Sequence, residues 1–249
     1  MPVLAILPAR YGSTRFPGKP LVPIAGRPMI QHVWERTRKA AGVDAVVIAT
    51  DDERIRAACE AFGAEVVMTA ADHPTGTDRL AEVAQQRPGY EVVVNVQGDE
   101  PLIEGFVVEA AIAALAKDPR ASMSTVVHRA EPEAWDDPNR VKVVVDVTGA
   151  ALYFSRAPIP YRRKDTGLVP LQHVGLYCFR REFLLEFVGL ARTPAEQTEE
   201  LEQLRALENG HRIAVAEIEG WRSVPVDVPE DVAVVEAALA AGAGRGAGG

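Results

Sequence analysis

Three cations lie within ten residues near the start of the chain. They are Arg10, Arg15 and Lys19, in the run Leu7-Pro8-Ala9-Arg10-Tyr11-Gly12-Ser13-Thr14-Arg15-Phe16-Pro17-Gly18-Lys19-Pro20. Gly12 and Gly18 tolerate the left-handed backbone angles that turn several N–H groups toward one anion. A polyphosphate suits such a loop. Charge-assisted bonds to it exceed the roughly 0.5–1.5 kcal/mol net of an ordinary hydrogen bond. The pattern is neither G-x-x-x-x-G-K-[ST] nor G-x-G-x-x-G, so neither a Walker loop nor a dinucleotide fingerprint is expected. A surface loop of solvated cations would share this composition.

Two carboxylates are candidates for work beside that loop. Asp99 lies in Gln97-Gly98-Asp99-Glu100-Pro101, and Asp227 in Val226-Asp227-Val228-Pro229-Glu230-Asp231. Meeting over a polyphosphate, they would hold Mg²⁺, an oxygen-seeking cation that neutralises phosphate charge. Asp52, Glu100 and Asp231 are secondary candidates. A turn before Pro101 and a cap on a final helix are the structural alternatives. His173, Gly175 and Tyr177 alternate, so all three face one side of a strand. Gly175 would leave room there for a polyhydroxylated ligand. Gln97, Glu202 and Gln203 offer donors and acceptors to hydroxyls, and Arg156 a fork for a ligand carboxylate. Ordinary strand and wet helix positions would carry the same residue types.

Apolar runs at Val3–Leu7, Ala45–Ala49, Glu65–Met68 and Glu91–Val96 read as strands. Between them, Met29–Arg38, a segment reaching Ala61, and Arg79–Gln86 read as helices, with Phe106–Leu115 after the fourth strand. This alternation predicts right-handed β-α-β units in an α/β fold with a mostly parallel, Rossmann-like sheet. Ligands of such sheets bind beyond the carboxyl ends of the strands, where the cationic loop and Asp99 both fall. Met123–His128, Val141–Val147 and Leu152–Phe154 then follow closely without long helices, so a mixed-strand excursion is expected near 130–190. Further expectations are a strand at Val174–Phe179, a helix at Glu199–Leu207, strands at Ile213–Ala216 and Val224–Val228, and a closing helix at Glu230–Ala240.

With 249 residues, 47% of them hydrophobic, a single domain over 1–240 is expected. The Gly/Ala-rich segment 241–249 is expected to be a disordered tail. A formal charge of −8 without a basic run argues against nucleic acid as a partner. No apolar run approaches the roughly 20 residues of a membrane helix, and the N-terminal residues do not resemble a secretory leader. Two cysteines far apart and five histidines without ligand spacing point to a reducing cytoplasm and no zinc.

Together these residues resemble the 3-deoxy-manno-octulosonate (Kdo) cytidylyltransferase family, from about residue 3 to residue 237. The matching blocks are 8–21, Ala-Thr-Asp-Asp at 49–52, and Ala-Asp-His-Pro-Thr-Gly-Thr-Asp-Arg-Leu-Ala-Glu at 71–82. Further blocks are Asn-Val-Gln-Gly-Asp-Glu-Pro at 95–101, Pro-Asn-Arg-Val-Lys-Val-Val at 138–144 and Leu-Tyr-Phe-Ser-Arg-Ala-Pro-Ile-Pro at 152–160. His-Val-Gly-Leu-Tyr at 173–177, Leu-Glu-Gln-Leu-Arg at 201–205 and Val-Asp-Val-Pro-Glu-Asp at 226–231 complete the set.

The resemblance implies a nucleotide-diphospho-sugar-transferase fold, dependence on Mg²⁺, and a homodimer built largely by the excursion. It implies CMP transfer from CTP to the anomeric hydroxyl of Kdo, releasing pyrophosphate and supplying lipopolysaccharide biosynthesis. Arg10 and Lys19 would hold phosphates. Gly12, Ser13, Arg15 and Arg79 would meet the nucleotide, and backbone groups of Pro8, Ala9 and Arg10 the cytosine. Asp99 and Asp227 would hold the metal. Gln97, Arg156, His173, Tyr177, Glu202 and Gln203 would meet the acid sugar. Pro225-Val226 before Asp227, Val228 where Thr is common, and Thr193–Glu200 depart from the family pattern. Lys19-Pro20 separates the chain from sialic-acid relatives, which continue Lys-Asn. Ala9-Arg10 separates it from sugar-1-phosphate enzymes with Ala-Gly-x-Gly. An amino variant of Kdo or another ulosonic acid as substrate, and a non-catalytic nucleotide-binding paralogue, are the alternatives.

Overall fold

An apolar run without alternation belongs to a strand covered on both faces. Val3–Ala9 forms such a strand, β1. Val3, Ala5, Leu7 and Ala9 enter one hydrophobic cluster, and Leu4 and Ile6 the other. The computed structural model describes residues 1–12 and 16–243. After β1 come a 3-10 turn at Lys19–Leu21, the small hairpin β2 (Pro23–Ile24) and β3 (Arg27–Pro28), and helix α1 (Met29–Thr37). The β-α alternation continues through β4 (Ala45–Thr50), α2 (Glu53–Ala61), β5 (Glu65–Met68), α3 (Gly76–Gln86), β6 (Val92–Asn95) and α4 (Gly105–Lys117). Then follow β7 (Ala121–Arg129), β8 (Lys142–Val145), β9 (Ala151–Ser155), β10 (Leu171–Arg180) and α5 (Arg181–Phe187). The last elements are α6 (Pro194–Glu199), α7 (Gln203–Glu208), β11 (Arg212–Ile218) and α8 (Asp231–Ala243).

The main sheet runs β11-β7-β10-β6-β1-β4-β5, with β8 on β10 and β9 on β8. β1 is parallel to β4 and β6, while β10 is antiparallel to both β6 and β7. The carboxyl ends of β1, β4, β6 and β7 therefore meet one edge, and β10 brings its amino end to the same edge. Helices cover both faces. Ile30 and Val33 of α1, Ile55 of α2 and Val107 of α4 fill one layer. Leu80 of α3, Phe183 and Phe187 of α5 and Leu204 of α7 fill the other. A third cluster of Ile24, Met29, Val226 and Val235 clamps α8 and the segment before it against the small hairpin.

Two expected elements differ. The helix expected at Glu199–Leu207 is two helices, because Glu200 takes a left-handed φ of 51° and stops α6. Val224–Val228 pairs with no strand. Its apolar character serves the third cluster, where Val226 is fully buried, and its Val226 N–H donates to Asp99 O at 2.9 Å. Helix α8 also runs to Ala243, beyond the expected end at Ala240, while 244–249 lie outside the described residues.

Candidate active site

The cationic loop leaves the carboxyl end of β1 and closes on itself. Gly18 N–H donates to Tyr11 O at 2.9 Å, and Leu21 N–H donates back to Gly18 O at 2.9 Å. Gly18 sits at φ +72°, and a Cβ there would stand 3.2 Å from the Tyr11 ring, so both conformation and space call for glycine. This turn aims Lys19 across the edge. Its Nζ lies 2.8 Å from Asp99 Oδ2 and 3.7 Å from Asp227 Oδ1. A lysine, a residue 80 positions on and another 208 positions on thus meet at one point. Ser13 and Arg15 lie outside the described residues. Arg10 is half-buried, and its Nη2 is enclosed without a hydrogen-bond partner among the described residues.

Arg79 is fully enclosed, contrary to the expectation of direct nucleotide contact. Its Nη1 donates to Thr69 Oγ1, and Nη2 is ion-paired with Asp51 Oδ1 at 3.1 Å. Burial lowers its pKa, Asp51 opposes that, and the neighbouring Arg10 lowers it further. Arg79 therefore braces Asp51 behind the loop, because α3 points its side chain inward under the sheet edge.

Asp99 is placed by a tight passage after β6. A Cβ on Gly98 would stand 3.1 Å from the Pro8 carbonyl oxygen and 3.2 Å from Ile30 Cδ1. Glycine lets this turn pack closely against β1 and α1. Asp227 is held at the start of α8, where Asp231 Oδ2 accepts the N–H groups of Asp227 at 2.7 Å and Val228 at 3.0 Å. Asp231 thus ties the segment before α8 to the start of that helix. Asp52 caps α2 by accepting from Arg54 N–H at 2.9 Å, and Arg54 in turn lies 3.3 Å over the Tyr11 ring. Glu100 is buried and accepts from Ser223; burial pushes its carboxyl up to about 7, against the Ser223 bond and with help from Asp99. The secondary carboxylate candidates are therefore otherwise employed.

Asp99 and Asp227 fit a hard divalent cation: one ammonium already stands between both carboxylates, and phosphate oxygens and water would complete an oxygen set. Among the described residues, no group of three or more His, Cys, Asp or Glu gathers as a metal cluster.

Beside this point, β10 supplies a half-buried aromatic wall. The His173 and Tyr177 rings are 5.3 Å apart, centroid to centroid, so they share a face as the alternation predicts. A Cβ on Gly175 would stand 3.7 Å from Gln97 Cγ, which places Gln97 over the gap. Thr125 Oγ1 donates to Leu176 O at 2.7 Å and lies 3.0 Å from His173 Nε2. Its proton being committed, it accepts from Nε2–H, which leaves Nδ1 as an acceptor. Burial lowers the His173 pKa to about 3, so the ring is neutral. Burial raises the Tyr177 hydroxyl, and Glu202 adds to that. Glu202 accepts from Thr77 Oγ1 at 2.5 Å; burial raises its pKa and the Thr77 bond opposes it.

The chain matches the family model for cytidylyltransferases over residues 4–213. A 3-deoxy-manno-octulosonate cytidylyltransferase of Syntrophotalea carbinolica is 53% identical, covering 96% of this chain and 99% of its own. One from Solibacter usitatus is 49% identical, covering 98% of each chain. The chain belongs to the 3-deoxy-manno-octulosonate cytidylyltransferase family. A solved CMP:2-keto-3-deoxy-manno-octonic acid synthetase complexed with CTP superposes with a TM-score of 0.92 at 43% identity, over 96% of this chain and 99% of that one. A 4-diphosphocytidyl-2C-methyl-D-erythritol synthase from Anaerococcus prevotii shares the fold alone, with a TM-score of 0.66 at 14% identity.

Within this cytidylyltransferase frame, two residues expected at the acid sugar are not open to solvent as that expectation pictured: the Arg156 guanidinium is engaged by carbonyls and Gln203 is buried. Arg156 donates to Glu199 O at 2.7 Å, Pro138 O at 3.0 Å and Glu200 O at 3.5 Å. The carbonyls that end α6 have no helical partner and draw the guanidinium away from open space. Gln203 is buried, only 3% exposed. Sequence reasoning also passed over Lys142, which is fully buried in β8 and donates to Asp137 O at 2.9 Å and Arg156 O at 2.6 Å. Its signal was a single charge inside the apolar run 141–145. The divergent segment Thr193–Glu200 is well fastened: Glu196 and Arg205, both buried, form a bidentate pair at 2.9 and 2.6 Å.

Proposed function

We propose that this chain transfers CMP from CTP to the anomeric hydroxyl of Kdo and releases pyrophosphate. The observation that carries this reading is Lys19 standing between Asp99 and Asp227, on the edge that also receives Arg10, Gln97, His173 and Tyr177. Its support is 53% identity to a 3-deoxy-manno-octulosonate cytidylyltransferase across nearly the whole chain. Arg10 and Lys19 hold the triphosphate and follow its charge onto the leaving pyrophosphate. Backbone groups of Pro8, Ala9 and Arg10 meet the cytosine, and Gly12 contributes to the nucleotide loop. Gln97 and Glu202 orient the sugar hydroxyls, and neutral His173 stacks beside Tyr177 as the wall of that pocket. Asp99 and Asp227 would hold Mg²⁺, which would supply charge neutralisation to the phosphates. No covalent nucleophile is required, since positioning and electrostatics account for most rate enhancement in transfers of this type.

The reading includes a homodimer and a cytoplasmic setting, in keeping with two free, buried cysteines. Among the described residues, no helix is long and apolar enough to cross a membrane. The test is pyrophosphate release from CTP and Mg²⁺ with Kdo, with sialic acid, or with no sugar. Release that requires Kdo is expected. Release with sialic acid alone, or none with any sugar, overturns the assignment.

A further inference from the structure

Two sets of anions call on the Lys19 ammonium. In the reading above it meets the triphosphate. In the structure its Nζ is 2.8 Å from Asp99 Oδ2 and 3.7 Å from Asp227 Oδ1, and its side chain is only 17% exposed. We propose that Lys19 is an exchangeable counter-ion: its ammonium neutralises Asp99 and Asp227 while the nucleotide is absent, and leaves them for the phosphates when CTP and Mg²⁺ arrive together. The proposal rests on the reading of Asp99 and Asp227 as the metal-holding pair.

The geometry supports an exchange rather than a permanent bond. Asp99 and Asp227 are like charges, 29% and 47% exposed, and the Lys19 ammonium lies within ion-pair distance of both. The backbone under Lys19 is fixed, because Gly18 bonds Tyr11 O and Pro20 is buried in the 3-10 turn. The four-carbon stem above it is flexible and swings about that fixed base. A dication arriving alone meets a resident like charge and binds weakly. A triphosphate offers the ammonium a second anionic partner and so frees the carboxylates. Metal and nucleotide therefore favour each other's binding, and the factor is the same in both directions.

The test is calorimetric titration with Mg²⁺ alone, without nucleotide, on the wild type, Lys19→Met and Asp99→Asn. Lys19→Met removes the competitor and is expected to bind Mg²⁺ about tenfold more tightly or better, within the usual range of coupling between sites. Asp99→Asn is expected to lose the binding. A non-reacting CTP analogue is expected to tighten Mg²⁺ binding by a larger factor in the wild type than in Lys19→Met. Equal or weaker Mg²⁺ binding by Lys19→Met, with binding lost in Asp99→Asn, overturns the exchange but leaves the metal pair standing. Unchanged Mg²⁺ binding by Asp99→Asn overturns the pair and the exchange together. A second readout needs no variant: amine acylation of wild-type Lys19, quantified by mass spectrometry. Mg²⁺ alone at saturation is expected to speed it, and unchanged or slower labelling overturns the proposal.

Discussion

Asp99 is fixed at both ends. Its carbonyl takes the Val226 N–H at 2.9 Å, and its carboxylate takes Lys19 at 2.8 Å. Asp99→Asn keeps the shape and the main-chain bond but removes the charge that faces Lys19. The expected result is a loss of turnover greater than ~10²-fold with an unchanged circular dichroism spectrum, the scale of removing one electrostatic stabiliser. Near-normal turnover at saturating Mg²⁺ sinks that role. His173 makes a different kind of statement. Its pKa is lowered by burial from 6.5 to about 3. Between those values the unfolded chain binds a proton that the folded chain does not, so this residue's contribution to stability rises with pH and levels off above the window. On acidification from pH 7 to pH 5, the wild type should lose stability relative to His173→Gln by up to about 1.4 kcal/mol per pH unit. Urea unfolding at pH 7, 6 and 5 measures this, and parallel curves for the two proteins refute it.

Elements carry the site by tying loops that are distant in sequence. Lys142 of β8 and Arg156 after β9 together hold the carbonyls of Asp137, Pro138, Arg156 and Glu199. The α6–α7 turn anchored in this way carries Glu202 toward Tyr177. Lys142→Met would fill the space but leave the Arg156 carbonyl without its donor and Asp137 O with the Arg140 N–H alone, at a cost of roughly 1–3 kcal/mol. It should also raise KM for the acid sugar more than KM for CTP, because the nucleotide loop lies on a different strand. Unchanged stability, or equal effects on both KM values, counts against the tie. The central strands of this scaffold were legible because both faces of the sheet are covered, so β1, β4 and β6 read as apolar runs. Glu200 was not legible as a helix stop, since it departs neither in hydropathy nor in residue type from its neighbours. Val224–Val228 has a strand's composition but packs on Ile24 and Met29 instead of pairing. The meeting of Lys19 with Asp227 follows from the packing of Val226 on Ile24 and Met29 and from its bond to Asp99 O, which apolar periodicity does not encode, and the destination of Arg156 was set by orphan carbonyls that only the fold exposes.

At the scale of the molecule, the excursion leaves apolar surface uncovered. Among the described residues, strand β9 pairs with β8 alone and ends the sheet on that side. Leu152 is 59% exposed on it, and Val147, Tyr161 and Leu168 are exposed around it. An edge strand with bare apolar side chains invites pairing or aggregation unless a partner covers it. A second copy meets this need with the fewest assumptions, since one patch that complements itself closes a two-fold dimer and leaves no further edge to extend. The active edge lies at the carboxyl ends of β1 and β6, away from β9 in the strand order, so a dimer formed there leaves the nucleotide loop open. Light scattering on the eluting protein should therefore give twice the 26.9 kDa chain mass. The double variant Leu152→Asp/Tyr161→Asp should shift it toward one chain mass while the nucleotide loop keeps its CTP affinity. A wild type that elutes at one chain mass at micromolar concentration, or a charged variant that stays dimeric, would move the partner surface elsewhere on the fold.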